Sequence, residues 1–104
     1  MNRRVLIIGG TNFFGRHIVE TLLENNYEVV LLNRCKSNTI LFPELERICT
    51  DRLNKNLKEV VDEKFPYGSN TFHCIIDVNC YDTNMLNNTM EALRHKTNYY
   101  VFIS

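Results

Sequence analysis

A short glycine-containing segment near the start of the chain has the residue types that bind phosphate. Residues 9–15 read Gly-Gly-Thr-Asn-Phe-Phe-Gly, after an apolar run over residues 4–8 and before an amphipathic segment. This context predicts a tight turn between a buried strand and a helix. Glycine permits such a turn, and the free N–H groups at a helix start bind the pyrophosphate of a dinucleotide. The predicted contacts are Gly9, Gly10, Thr11, Asn12, Phe13, Phe14 and Gly15.

The segment departs from the usual three-glycine pattern at Asn12. Whether it is aligned as G-x-x-G-x-x-G or as G-x-G-x-x-G, asparagine stands where the middle glycine would be. Asparagine tolerates a positive φ better than most residues, and its amide could donate a hydrogen bond to phosphate. The alternative is a glycine turn that binds no ligand, as in other doubly wound folds.

Strands and helices alternate along the whole chain. The predicted strands are residues 4–8, 27–32, 47–50, 72–78 and 98–103, and the predicted helices are residues 12–25, 54–64 and 82–93. Thr11 or Asn12 is expected to cap the first helix, Asn25 and Asn26 to end it, and Asp82 to cap the third. Such alternation predicts an α/β fold, a doubly wound parallel sheet of strand order 3-2-1-4-5 with helices on both faces. Ligands bind at the carboxyl ends of strands 1 and 4 in such a sheet.

The composition indicates one globular domain of 104 residues with 44% hydrophobic residues. Twelve basic and twelve acidic residues give a formal net charge of zero, which argues against a nucleic-acid partner. The longest apolar runs, residues 5–8 and 29–32, are too short to span a bilayer, so no membrane partner is expected.

The four cysteines, at positions 35, 49, 74 and 80, have irregular spacing and form no C-x-x-C motif. Because the N-terminal apolar run ends at Gly9 after four residues, it reads as a buried strand rather than a signal peptide. We therefore expect reduced thiols in a cytoplasmic protein. Cys49 and Cys74 lie in apolar stretches and are expected in the core. The three histidines are scattered, so no metal site is predicted.

Residues 9–17, Gly-Gly-Thr-Asn-Phe-Phe-Gly-Arg-His, resemble the opening of the extended and atypical short-chain dehydrogenase/reductases, in particular the NAD(P)-dependent epimerase/dehydratase family. Residues 29–34, 51–52, 75–81 and 100–104 are similar to later strand ends of that family, in order and at suitable spacing. The resemblance covers essentially the whole chain. It implies a Rossmann-like domain over residues 1–104 that binds NADP or NAD, from an oxidoreductase acting on nucleotide sugars or similar small molecules.

The resemblance places the end of the second strand beside the adenosine ribose of the cofactor. NAD-preferring sites commonly have Asp or Glu there, whereas this chain has Asn33 followed by Arg34. A carboxylate would repel a 2′-phosphate, and a guanidinium can hold it with paired hydrogen bonds. We therefore expect NADP to be preferred, with Arg34 on the 2′-phosphate; the alternative is that Arg34 is a solvated loop charge.

The resemblance also implies contacts after the third and fourth strands. Asp51, with Arg52 beside it, is expected at the adenine amino group, although an acid at a helix N-terminus explains Asp51 equally well. Val78 and Asn79 are expected near the nicotinamide-side ribose. Asp77 lies in an apolar strand, so it should be paired or close to the exposed strand end, and a structural role in holding a loop is open.

The catalytic residues of the family are not found in these 104 residues. The family uses a Tyr-x-x-x-Lys pair as general acid and base, and none of the five tyrosines here has lysine four residues later. We expect a cofactor-binding domain that is incomplete at its C-terminal side and has no turnover alone. The alternative is a stand-alone NADP-binding sensor or interaction module, and RNA binding is a weaker third hypothesis. The unpaired outer edge of the fifth strand predicts a homodimer.

Overall fold

Five parallel strands form a single sheet in the computed structural model, which describes residues 3–9, 13–35, 41–66, 71–78 and 83–103. The elements are β1 (Arg4–Ile8), α1 (Phe13–Glu24), β2 (Glu28–Asn33), β3 (Glu46–Cys49), α2 (Leu57–Lys64), β4 (Cys74–Asp77), α3 (Thr83–Leu93), a short 3-10 helix (Arg94–Lys96) and β5 (Tyr100–Phe102). The strand order is β3-β2-β1-β4-β5, and every neighbouring pair is parallel. The predicted doubly wound sheet is confirmed.

Helices cover the two faces of the sheet separately. Alternate residues of β1 enter different clusters, because successive side chains of a strand point to opposite faces. Leu6 and Ile8 pack in the cluster that holds the buried residues of α2 and α3. Val5 and Ile7 pack with Val19 of α1 on the other face. Burial on both faces explains why the strands are apolar throughout instead of alternating.

Helix α2 begins three residues later than the predicted start at residue 54. Before the helix, two turns are closed by side-chain oxygens that accept the backbone N–H two residues later. Asp51 Oδ1 accepts the N–H of Leu53 at 2.9 Å, and Asn54 Oδ1 accepts the N–H of Asn56 at 2.8 Å. Asp and Asn side chains compete with the helix for backbone N–H groups in this way, so they delay its start. The residues from 51 to 56 therefore form a turn segment rather than the first turn of a helix.

Helix α1 ends as the sequence predicts. Asn26 has φ 66°, in the left-handed region that asparagine tolerates, and the chain then enters β2. The predicted caps Thr11, Asn12 and Asp82 lie outside the described residues. Strands β4 and β5 are shorter than predicted, since β5 pairs only over Tyr100–Phe102.

The cysteine prediction is wrong for two of the four residues. Cys35 and Cys49 form a disulfide, and Cys49 is exposed rather than in the core. The reason is the sheet register, which places Cys49 opposite Asn33 at the end of β2, only two residues before Cys35. Such bonds are rare in cytosolic proteins. Cys74 is a half-buried free thiol whose pKa is raised by burial, and Cys80 lies outside the described residues.

Candidate functional site

The carboxyl ends of the central strands meet at one edge of the sheet. Ile8 at the end of β1 lies opposite Leu32 of β2 on one side and Asp77 of β4 on the other. Hydrogen bonds extend the pairing by one residue: the N–H of Gly9 donates to Leu32 O at 3.4 Å, and the N–H of Val78 donates to Ile8 O at 2.9 Å. The strand order reverses between β1 and β4, and doubly wound sheets bind ligands at the carboxyl ends of the strands at such a point.

The chain bends at Gly9, directly after β1, and we call this bend the Gly9 turn. Gly9 has φ 88°, a conformation that a Cβ atom would disfavour. Helix α1 begins at Phe13, and Gly15 is buried in its first turn, where a larger side chain would push the helix off the sheet. The first N–H groups of a helix lack partners within the helix, so they can receive an anion.

The other predicted residues of this turn are only partly described. Phe14 is 69% exposed, so its ring is directed away from the core. Gly10, Thr11 and Asn12, together with the side chain of Phe13, lie outside the described part of the chain. The positive φ of Gly9 agrees with the tight turn that the sequence predicts there, and the burial of Gly15 lets α1 lie close to the sheet.

The end of β2 carries Asn33 and Arg34. The Oδ1 atom of Asn33 accepts the N–H of Cys35 at 2.9 Å, so its side chain closes a small turn. Its carbonyl oxygen accepts the N–H of Thr50 at 2.8 Å, which joins this turn to the end of β3. Arg34 is exposed. The disulfide between Cys35 and Cys49 closes the same corner covalently.

Asp51 and Arg52 follow β3, and their side chains have opposite surroundings. Asp51 is exposed, with one oxygen accepting the N–H of Leu53. Arg52 is buried, and its guanidinium donates to both carboxylate oxygens of Asp77, at 2.7 Å from Nη1 to Oδ1. Its Nε also donates to Thr89 Oγ1 at 3.1 Å. The Arg52 side chain thus links the end of β3 to β4 and α3, and its predicted contact with a cofactor stays a prediction.

The expectation that Asp77 is paired is confirmed. Its side chain is fully buried, and besides Arg52 it accepts the hydroxyl of Tyr100 at 2.8 Å. Sequence reasoning missed Arg52 and Tyr100 as the partners of Asp77, and Thr89 as the further partner of Arg52. The presence of Asp77 in an apolar strand could have indicated these partners, because a buried carboxylate requires a cation and further hydrogen-bond donors. Val78 is half-buried in the cluster on the α1 face, and Asn79 lies outside the described residues.

Two further findings concern the described residues only. They contain no group of three or more His, Cys, Asp or Glu side chains that could hold a metal ion. None of their helices is long and apolar enough to cross a membrane.

Curated relatives and solved structures resemble the chain over only part of their own length. A putative UDP-glucose 4-epimerase of Methanocaldococcus jannaschii is 38% identical over 64 residues, which are 58% of this chain and 20% of the relative. The chain thus spans about a fifth of that protein. The UDP-glucose 4-epimerase of Thermotoga maritima with UDP-glucose gives a TM-score of 0.74 at 14% identity, covering 95% of this chain and 37% of that one.

A second solved structure gives the same fold. The Thermus thermophilus UDP-glucose 4-epimerase in complex with NAD has a TM-score of 0.69 at 22% identity and covers 88% of this chain and 33% of that one. Both solved structures therefore have the fold described above. A sequence model of the NAD dependent epimerase/dehydratase family matches residues 5–92, most of the chain. On this match and the glycine turn after β1, the chain belongs to the NAD dependent epimerase/dehydratase family.

Proposed function

We propose that residues 1–104 form the dinucleotide-binding domain of an epimerase-like or dehydratase-like oxidoreductase. The observation that carries this proposal is the Gly9 turn, which follows β1 at the edge where the strand order reverses and lies four residues before α1 begins. Family membership supports it, as does the NAD complex of the Thermus relative. A cofactor in this place would set its pyrophosphate against the helix start.

The proposed contacts follow the carboxyl edge of the sheet. Backbone N–H groups between Gly9 and Gly15 bind the pyrophosphate. Asn33 and Arg34 meet the adenosine ribose at the end of β2, and Asp51 meets the adenine after β3. Val78 and Asn79 meet the nicotinamide-side ribose, on the other side of the point where the strand order reverses. Arg52 supports Asp51 from inside the protein.

We propose NADP as the preferred cofactor. Arg34 is exposed, and the residue before it, Asn33, is neutral and accepts the N–H of Cys35 with its side-chain oxygen. The end of β2 therefore presents no carboxylate that would repel a 2′-phosphate. A guanidinium there can bind a 2′-phosphate with paired hydrogen bonds. The substrate class that fits the family is a nucleotide sugar. Chemistry on it would need a Tyr-x-x-x-Lys pair, which these 104 residues do not contain.

A homodimer through the β5 edge is also proposed. β5 is the last strand in the described sheet, and its Val101 and Phe102 side chains are 43% and 47% exposed. Exposed apolar side chains on a strand at one edge of the described sheet favour contact with a second copy. Sedimentation of the chain at increasing concentration tests this; a monomer throughout would contradict it.

Calorimetric titration of the chain with NADPH and NADH tests the proposed function. One cofactor molecule is expected to bind each chain, and bound cofactor is expected to protect backbone amides around Gly9. Absence of binding by either dinucleotide at millimolar concentration, in a chain with native circular dichroism, would contradict the proposal. Turnover by the 104 residues alone would contradict the assignment of a binding role without catalysis.

A further inference from the structure

Four buried or half-buried side chains form a polar cluster beneath the carboxyl edge, which we call the Arg52 network: Arg52, Asp77, Thr89 and Tyr100. The guanidinium donates to both oxygens of Asp77, and its Nη2 and Nε lie 2.9 and 3.1 Å from Thr89 Oγ1. The hydroxyl of Tyr100 donates to Asp77 Oδ2 at 2.8 Å. The side-chain exposure is 5% for Arg52 and 0% for Asp77, so both charges are removed from water.

The network links elements that the sheet keeps apart. Arg52 follows β3, Asp77 ends β4, Thr89 lies in α3 and Tyr100 begins β5. In the sheet, β2 and β1 separate β3 from β4, a gap of three strand spacings or roughly 14 Å. Strand pairing cannot connect β3 to β4 across that gap, whereas the contact between Arg52 and Asp77 does. The contact therefore joins the two halves of the fold across the proposed cofactor crevice.

The main chain beside Arg52 is held by the same helix. Asn88, next to Thr89 in α3, donates its side-chain N–H groups to Arg52 O at 2.6 Å and to Asn54 O at 3.1 Å. Both the side chain and the backbone of the turn segment after β3 are thus fixed from β4 and α3. Asp51 directly precedes Arg52 and faces solvent, so the position of its carboxylate is set by these anchors.

A buried ion pair is a poor source of stability, since the loss of hydration offsets much of the attraction. What such a pair contributes is a fixed relative orientation of the two side chains, because a guanidinium and a carboxylate meet in one planar, paired geometry. The geometry points to Arg52 and Asp77 as positioning residues: they fix Asp51 relative to the Gly9 turn, so that the adenine and pyrophosphate contacts of one dinucleotide are held at a set separation. This inference rests on the proposed function.

The test uses the partner hydroxyls, because removing Arg52 or Asp77 would leave an unpaired buried charge and threaten the fold. Tyr100→Phe and Thr89→Val each remove one hydroxyl while keeping nearly the same shape. Tyr99→Phe is the matched control, since Tyr99 is 65% exposed and next to Tyr100 in sequence. Circular dichroism establishes that all three variants fold.

Binding is measured with NADPH, with adenosine and with inorganic pyrophosphate. We expect Tyr100→Phe and Thr89→Val to weaken NADPH binding about 5- to 10-fold, the size of effect typical of residues that couple two subsites. Binding of adenosine or of pyrophosphate should change less than about 2-fold, because each fills only one of the two subsites. Tyr99→Phe should leave all three affinities unchanged. Equal losses for NADPH and for the two fragments, or no loss, would overturn the inference.

Amide hydrogen exchange in the ligand-free chain is the second measurement. The N–H groups of Leu53 and Asn56 close the turns of the segment. We expect them to exchange about 10-fold faster in Tyr100→Phe and Thr89→Val than in Tyr99→Phe, while exchange within β1 stays constant. Unchanged exchange would overturn the inference regardless of binding. Failure of the unmodified chain to bind any dinucleotide would contradict the proposed function, whereas accelerated exchange would still support the anchoring of the segment.

Discussion

Cys35 and Cys49 are bonded across the carboxyl ends of two neighbouring parallel strands, with Cα atoms 5.5 Å apart. The bond closes the connection from β2 to β3, and Arg34, the proposed 2′-phosphate contact, lies next to it in sequence. Asn33, also at this corner, is the register partner of Cys49. The oxidation state of the pair therefore bears on both the stability of the sheet edge and the proposed ribose contacts.

Reduction of this disulfide should destabilise the chain. The bonded residues are 14 positions apart in sequence. Closing a loop of that size lowers the conformational entropy of the unfolded chain, which raises the free energy of unfolding by about 3 kcal/mol. Urea unfolding with and without a phosphine reductant measures the difference. The double variant Cys35→Ala, Cys49→Ala should be insensitive to reductant, whereas Cys74→Ala should remain sensitive. Identical midpoints for the oxidised and reduced chain would contradict the prediction.

Arg34→Ala should remove the preference for NADP. A charge-assisted contact contributes about 1.5–3 kcal/mol, so NADPH affinity should fall about 10- to 100-fold while NADH affinity changes little. Parallel titrations with the two cofactors give both numbers. Arg94→Ala, at an exposed arginine in the 3-10 helix away from the carboxyl edge, is the control. Equal affinities for NADPH and NADH that Arg34→Ala leaves unchanged would show that Arg34 is only a solvated charge.

Gly9→Ala should impair both folding and binding. Alanine at a φ of 88° costs about 1–2 kcal/mol, and the turn that presents N–H groups to the pyrophosphate should shift. Asn26→Ala is a matched control, because it places alanine at a φ of 66° at the opposite end of α1. Both variants should lower the urea midpoint, but only Gly9→Ala should weaken NADPH binding. A similar loss of binding in both would mean that general destabilisation explains the effect.

The sequence predicts the features that depend on local pattern. The strand order follows from the alternation of apolar runs and amphipathic segments, and the end of α1 follows from the tolerance of Asn26 for a positive φ. The position of Asp77 in an apolar stretch indicated that it should be paired or close to the exposed strand end, and the structure shows it paired. Each of these conclusions needs only neighbouring residues or one physical rule.

Features that depend on distant residues were not predicted. The disulfide forms because the register places Cys49 beside the end of β2, and sequence spacing does not reveal that register. The pairing of Arg52 with Asp77 was not predicted either, because two strands lie between β3 and β4 in the sheet. The partners of a buried charge become visible only when the packing of α3 against the sheet is known.

The pH dependence of stability should include a contribution from Asp62, on α2. A hydrogen bond from Lys58 and the nearby ammonium group of Lys96 hold its pKa below the ordinary value, although burial acts in the opposite direction. Lys96 is 1% exposed, and its Nζ lies 2.5 Å from Asp62 Oδ1 and 2.7 Å from Phe65 O, so the pair ties the 3-10 helix to α2. A lowered pKa in the folded state means that the ionised carboxylate stabilises the fold.

That stabilisation is present above the ordinary aspartate pKa of about 3.9 and is lost as the pH falls from there through the lowered pKa. Asp62→Asn should therefore cost about 1–3 kcal/mol at neutral pH, because Lys96 loses its charged partner, and the cost should shrink as acid protonates the wild-type carboxylate. Urea unfolding of both proteins from about pH 7 to about pH 2 measures the difference. Glu63→Gln, at the exposed neighbouring position, should have little effect at any pH. A constant difference between Asp62→Asn and wild type across this range would show that the carboxylate acts through packing and not through its charge.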